Sequence, residues 1–254
     1  MATIQCGKVT FTNVEAVIFD KDGTLANVEA FLCKLACCRS RLIDARVPGI
    51  EALLLDAFGI QKGNAQASPQ GYCLNPAGLM AVGSRQENAI AAAAYSAATG
   101  RGWTQSLALV QEAFQAADRS SQPKAKQTPL LPGAVPLLQK LTHAGIRLGI
   151  LSSDSQSNVD DFVVTYELSR YFQIAIGVRE NLSKSDPMLL EQVLLKLGTV
   201  PGQTLIVGDS QIDIQIAKTA QMLGCIGMTG GWSSKPNLTN ATVLVNQLDQ
   251  IQII

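Results

Sequence analysis

Histidine is almost missing from this chain, with His143 the only one among 254 residues. The six cysteines (Cys6, Cys33, Cys37, Cys38, Cys73 and Cys225) include no CxxC pair. Cys33 and Cys37 lie four apart and could share a helix face. Without a neighbouring histidine they read as free thiols rather than as a zinc set. There is also no charge of one sign to spare, since Lys+Arg and Asp+Glu are both 20. That balance excludes the basic excess expected of a nucleic-acid or anionic-membrane partner. It leaves little whole-protein repulsion against self-association and defines no oligomeric state. No apolar run reaches the ~18 residues of a membrane span, and no charged-then-apolar signal opens the chain. The expectation is a reduced, soluble, cytoplasmic protein.

What is present is core-forming material. Hydrophobic residues make up 47% and charged residues 16%, so the chain is not disordered. Thr3–Phe11 alternates weakly around Gly7 and predicts a small hairpin. Val14–Phe19 is a short apolar run ending at Asp20, which suits a buried strand. Residues 28–126 then change character, becoming alanine-rich with helical spacing. Ser84–Thr99 and Thr104–Ala117 read as helices separated by Gly100 and Gly102, and Ser84 with Glu87 fits a capping box. Gly59–Pro76 reads as a long loop, and Ser120–Thr128, with Pro123 and two lysines, as a return linker.

From Pro132 helix and strand alternate. Helices are predicted over Gly133–Ala144, Gln156–Leu168, Pro187–Leu197 and Gln211–Ala220. Strands are predicted over Ile146–Leu151, Phe172–Ile176, Thr204–Val207, Leu223–Met228 and Thr242–Val245. Such alternation implies βα units and a parallel sheet. The expected organisation is an α/β core from 1–27 and 127–254, interrupted by a helical insert over 28–126.

Ligands of open α/β sheets sit beyond the carboxyl ends of the strands. The polar residues of this chain gather at those ends. The first strand runs into Asp20-Lys21-Asp22-Gly23-Thr24, another into Ser152-Ser153-Asp154, and a third into Gly208-Asp209-Ser210 with Asp213 following. Lys184 lies in the loop after a fourth. Acids crowded into one crevice repel unless a cation neutralises them, and oxygen ligands suit magnesium. A lysine and a divalent ion would then make a site for a phosphate, with Gly23 permitting close approach.

These residues resemble the four motifs of the haloacid dehalogenase (HAD) superfamily. Asp20-Lys21-Asp22-Gly23-Thr24-Leu25 after VIF is similar to the first, Ser152 after LGIL to the second, Lys184 to the third, and Gly208-Asp209-Ser210-Gln211-Ile212-Asp213 to the fourth. The helical insert resembles the C1 cap of the phosphoglycolate phosphatase-like branch. The resemblance implies a Rossmann-like, three-layer HAD core and a Mg2+-dependent phosphatase acting on a small phosphorylated metabolite. Asp20 would be the nucleophile and Asp22 the general acid and base. Magnesium would sit on Asp20, the main-chain carbonyl of Asp22, and Asp209. Ser152, Ser153, Gly23 and Lys184 would hold the phosphate. Asp213 lies one helical turn from Asp209, so the two could share a helix face, and it would orient Lys184 or a metal-bound water. Arg85 could reach a substrate from the cap. The second acid separates this pattern from true dehalogenases, which lack it, and from transport ATPases, which carry Thr there.

Plainer readings stand beside these. Ser152 and Ser153 could cap the following helix, Lys184 could be a solvated lysine, and Asp213 a first-turn acid. Arg85 could be a solvated charge, Lys21 is expected to point away from the metal, and Trp103, Trp232 and His143 read as structural. A β-phosphoglucomutase-type phosphomutase is the alternative enzyme, and a non-catalytic binding protein the alternative outside enzymes.

Overall fold

The computed structural model describes residues 2–62, 71–179 and 182–254. In chain order its elements are β1 (Ala2–Cys6), β2 (Val9–Val14), β3 (Ala16–Phe19), α1 (Glu29–Asp44), α2 (Glu51–Phe58), β4 (Ile60–Lys62), β5 (Tyr72–Leu74), α3 (Leu79–Val82), α4 (Arg85–Ala98), α5 (Trp103–Ser120) and α6 (Ala134–His143). Then come β6 (Arg147–Ser155), α7 (Gln156–Thr165), β7 (Phe172–Val178), α8 (Pro187–Leu197), β8 (Thr204–Gly208), α9 (Gln211–Thr219), β9 (Gly224–Met228), β10 (Val243–Val245) and β11 (Ile251–Ile253).

The main sheet has six parallel strands in the order β10-β9-β8-β3-β6-β7. All four residues of β3 are buried, as a central strand covered on both faces requires. Val17 and Phe19 point into one apolar cluster with α6 and α7, while Ala16 and Ile18 point into another with α8 and α9. The period-2 alternation of a strand thus produces the three layers. The predicted N-terminal hairpin forms, and β11 pairs antiparallel with β1 to make a separate three-stranded sheet.

Residues 28–117 supply a third apolar cluster, joined among the described residues only by Trp232 from elsewhere. Its helices begin as the sequence dictates. The Ser84 hydroxyl accepts from Glu87 N–H at 3.2 Å, and the Glu87 carboxylate accepts from Ser84 N–H at 2.7 Å.

One expectation here needs correcting. The flanks of Gly59–Pro76 are not loop, because Ile60–Lys62 pairs with Tyr72–Leu74 as a hairpin; residues 63–70 lie outside the described residues. The segment expected as the return linker, Ser120–Thr128, packs against the core. Ser121, Lys124, Ala125 and Thr128 are buried, and Ala125 belongs to the core cluster of the main sheet.

Candidate active site

Strand β3 has β6 and then β7 on one side, and β8, β9 and β10 on the other. The chain therefore reverses direction across the sheet beside β3, and such a switch point opens a crevice at the strands' carboxyl ends. Asp20 follows β3 directly and Asp209 follows β8 directly. Asp20 N–H donates to the Val207 carbonyl at 2.8 Å, so the two strand ends are held side by side.

Carboxylate oxygens of Asp20, Asp209 and Asp213 lie within 4.8 Å of one another. Lys184 Nζ bridges Asp20 at 2.8 Å and Asp213 at 2.6 Å. It is buried, so the reading of a solvated lysine is overturned. Asp209 is not on the helix, which begins at Gln211, so it and Asp213 meet across a turn rather than along a helix face. Asp213 is both first-turn acid and lysine partner. One of its oxygens accepts from Ser210 N–H at 3.1 Å and from the Ser210 hydroxyl at 2.6 Å, while the other takes Lys184.

Both oxygens of Asp209 are met by neutral donors, the Thr24 hydroxyl at 2.8 Å and the Trp232 indole N–H at 2.6 Å. Gly23 makes this close approach feasible. Its φ is +78°, and a Cβ there would stand 2.4 Å from Asp209 Oδ2. The turn at Thr229-Gly230-Gly231 borders the crevice, for a Cβ on Gly231 would lie 1.7 Å from the Gly23 carbonyl oxygen. Ser233, next to Trp232, donates to Glu29 at the start of α1.

Asp22 turns to a different set of partners. Its carboxylate accepts from Lys21 and, at 2.8 Å, from Lys124. Asp154 completes the group, 2.9 Å from Lys21 and 2.5 Å from Lys124. Lys21 is 1% exposed and locked between two acids, Asp22 and Asp154. Neither Lys124 nor Asp154 was assigned a role from the sequence. The available signal was Asp154 itself, a third acid at a strand end, which demands a cation.

Strand β6 runs further than expected, through Ser155, with a register shift between Ser152 and Ser155. That bulge re-aims the side chains at the strand end. Ser155, not Ser152 or Ser153, caps α7 by accepting from Asn158 N–H at 3.3 Å. Ser152 and Ser153 line the same cavity as Asp20, Asp22 and Asp209. Arg85 also lines it, with its Nε bonded to Asp118 at 2.7 Å.

Five carboxylates (Asp20, Asp22, Asp154, Asp209, Asp213) meet three ammonium groups (Lys21, Lys124, Lys184), leaving two formal negative charges. Burial pushes Asp20 up to about 6 against the pull of Lys184, with Asp213 pushing the same way as burial. Burial, then Asp20 and Asp213, raise Asp209 well above the ordinary carboxylate range. Burial works against charge on Asp154 too, but Lys124 and Lys21 outweigh it and hold that carboxyl well below the ordinary range. Lys184 is driven upward by Asp20 and Asp213 despite its burial. The excess charge therefore resides on the Asp20–Asp209 side. A cluster of oxygen donors two charges short of neutrality fits a hard divalent cation.

A parallel α/β sheet with an acid-rich crevice at its switch point is the framework of an enzyme rather than of a scaffold. Residues 14–221 match the haloacid dehalogenase-like hydrolase family, and the chain belongs to it. Phosphoglycolate phosphatases of Salmonella typhimurium and Escherichia coli are 34% identical over 111 and 109 residues. Those matches span 42% and 41% of this chain, and the same shares of the relatives, so about two-fifths of each relative's length is covered. Among solved structures, a predicted phosphoglycolate phosphatase from Haemophilus somnus superposes with a TM-score of 0.66 at 19% identity, covering 93% of this chain and 96% of that one. A haloacid dehalogenase-like family protein from Streptococcus pneumoniae does so with a TM-score of 0.59 at 16% identity, over 94% and 97%. At such identities the likeness is one of fold. Among the described residues no helix is long and apolar enough to cross a membrane.

Proposed function

We propose that this chain is a phosphoglycolate phosphatase-like enzyme that hydrolyses a small phosphomonoester through Asp20. The supporting observation is Asp20 itself, a strand-end carboxylate bonded to Lys184 at 2.8 Å and flanked by Asp209 and Asp213. In the first step an Asp20 oxygen bonds to phosphorus while the bond to the ester oxygen breaks. Asp22 gives that oxygen its proton. In the second step Asp22 takes a proton from water, the water oxygen bonds to phosphorus, and the acyl phosphate on Asp20 breaks to release inorganic phosphate. Lys184 offsets charge on nucleophile and phosphoryl group, and Ser152, Ser153 and the turn at Gly23 bind the phosphoryl oxygens.

Magnesium is the cation proposed, held by Asp20, Asp209 and the main-chain carbonyl of Asp22, with Asp213 fixing Lys184 beside them. When bound it would withdraw charge from the phosphoryl oxygens. Residues 28–126 act as the cap over a core of 1–27 and 127–254, excluding bulk water from the reacting centre. Two guanidiniums already bonded to Asp118 on the cap side make hydrolysis the better reading than a mutase, which needs a second phosphate site.

The test is phosphate release from a panel of metabolite esters with magnesium, alongside trapping of phosphoenzyme. Asp20→Asn should abolish both, and a fully active Asp20→Asn variant would overturn the assignment.

A further inference from the structure

The cavity holding Asp20, Asp22 and Ser152 does not end at the phosphate-binding turn. It continues between the helices of the insert as a cleft of about 820 Å³. Pockets of ~300–1,000 Å³ are those that bury drug-sized ligands. A phosphate with a two-carbon acid attached fills only a small part of such a volume.

The chemistry of the far wall is as informative as its size. Its apolar stretch comes from Leu32 and Leu35 of α1, Met80 of α3, Ile90 of α4, and Trp103 and Leu107 of α5, with polar groups such as Gln86 and Gln111 beside it. Ile90 and Trp103 are 46% and 49% exposed, so their apolar surface is open to a bound group. The two guanidiniums on this side share one carboxylate. Arg39 donates to one oxygen of Asp118 at 2.7 Å and stacks 4.1 Å from the Phe114 ring centroid. Arg85 donates to the other oxygen at 2.7 Å. A substrate carboxylate would compete with bonds already made, whereas an apolar group would meet a wall suited to it.

Resting on the phosphatase reading, we infer that the preferred ester carries a bulky, predominantly apolar alcohol rather than a two-carbon hydroxy acid. The phosphoryl group sits at the strand ends and the alcohol lies along the insert's apolar wall. Desolvation of that alcohol supplies binding energy that a short hydroxy acid lacks.

The experiment is a kcat/KM series with the full chain and magnesium over ethyl, butyl and hexyl phosphate, with 2-phosphoglycolate beside them. The leaving oxygen has the same basicity along the alkyl series, so differences report the cavity. The inference expects kcat/KM to climb by at least about tenfold from ethyl to hexyl phosphate and to exceed that for phosphoglycolate. Trp103→Ala and Leu107→Asn should flatten the series. A flat series in the unaltered protein, or a preference for phosphoglycolate, overturns this inference alone. Absence of phosphate release and of phosphoenzyme with every ester overturns the phosphatase reading and this inference with it.

Discussion

The indole N–H of Trp232 donates to Oδ2 of Asp209 at 2.6 Å, while the ring of the same residue packs in the apolar cluster of the helical insert. One side chain therefore ties the orientation of a proposed magnesium ligand to the packing of the insert. Trp232→Phe keeps an aromatic ring in the apolar cluster and removes the donor. Partners of metal ligands typically contribute ~10–100-fold in metal affinity or activity. The magnesium concentration for half-maximal activity should rise by about tenfold or more in this variant, with little change in thermal stability. An unchanged magnesium requirement would leave Trp232 a packing residue only.

Magnesium binding should depend on pH with a definite sign. Burial sets Asp20 at about 6, above its ordinary 3.8, and raises Asp209 as well. A raised carboxyl contributes stability that is fully present below the unfolded value and is lost as pH rises through the folded one. The ion-free protein should thus lose on the order of 3 kcal/mol from Asp20 between about pH 4 and about pH 7. A cation that binds the ionised carboxylates restores it. The increase in melting temperature on adding magnesium, relative to EDTA, should be larger near pH 7.5 than near pH 5, as calorimetry can measure. Equal increments at both would refute the assignment of Asp20 and Asp209 as ligands.

Lys124 should be as costly to remove as a catalytic group, although no chemistry is assigned to it. Lys124→Met leaves Asp22 and Asp154 with Lys21 as their only cation among the described residues. Breaking a buried ion pair costs roughly 3–5 kcal/mol, so urea unfolding should register a loss of that order. Lys124→Arg retains the charge and should recover part of both stability and kcat.

Gly23→Ala is expected to abolish activity by geometry. The added methyl would enter a backbone position at φ +78° and collide with Asp209 Oδ2 and Trp232 Nε1 at 2.4 and 2.5 Å. Magnesium titration followed by tryptophan fluorescence should show lost binding even where circular dichroism reports a folded chain.

The thiols provide a test of packing independent of catalysis. Cys6, Cys33, Cys37 and Cys225 are buried, whereas Cys38 and Cys73 are partly exposed. Burial pushes Cys6 up to about 11 and Cys33 up to about 12, suppressing the reactive thiolate. An aromatic disulfide reagent should therefore label two of the six thiols quickly in the native protein and all six in denaturant.

The fold was legible because a doubly covered strand leaves a plain trace: Ala16–Phe19 is apolar throughout and runs into an acid. The acids at the ends of β3 and β8, and Lys184 just before a Pro-started helix, could be placed by the same rule. The extension of β6 could not, since Ser152–Ser155 is polar and carries no strand signal of its own. Lys124 was hidden for a physical reason. A lysine beside Pro123 has the composition of a solvated segment, and its burial follows only once Asp22 and Asp154 are known to converge on it. The Trp232 donor was invisible for the converse reason, because a ring that packs gives no sign of where its one polar atom points.

The hydrogen bond between Thr24 and Asp209 joins residues 185 apart in the chain, and that between Lys124 and Asp22 joins residues 102 apart. Contacts of such separation carry a loop-closure cost that must be met before they form, so they come late in folding. A partly folded chain would hold every acid of the crevice and yet no crevice. Recovery of activity after dilution from denaturant should lag behind the return of helix, and that lag would time the meeting of the two halves of the sheet.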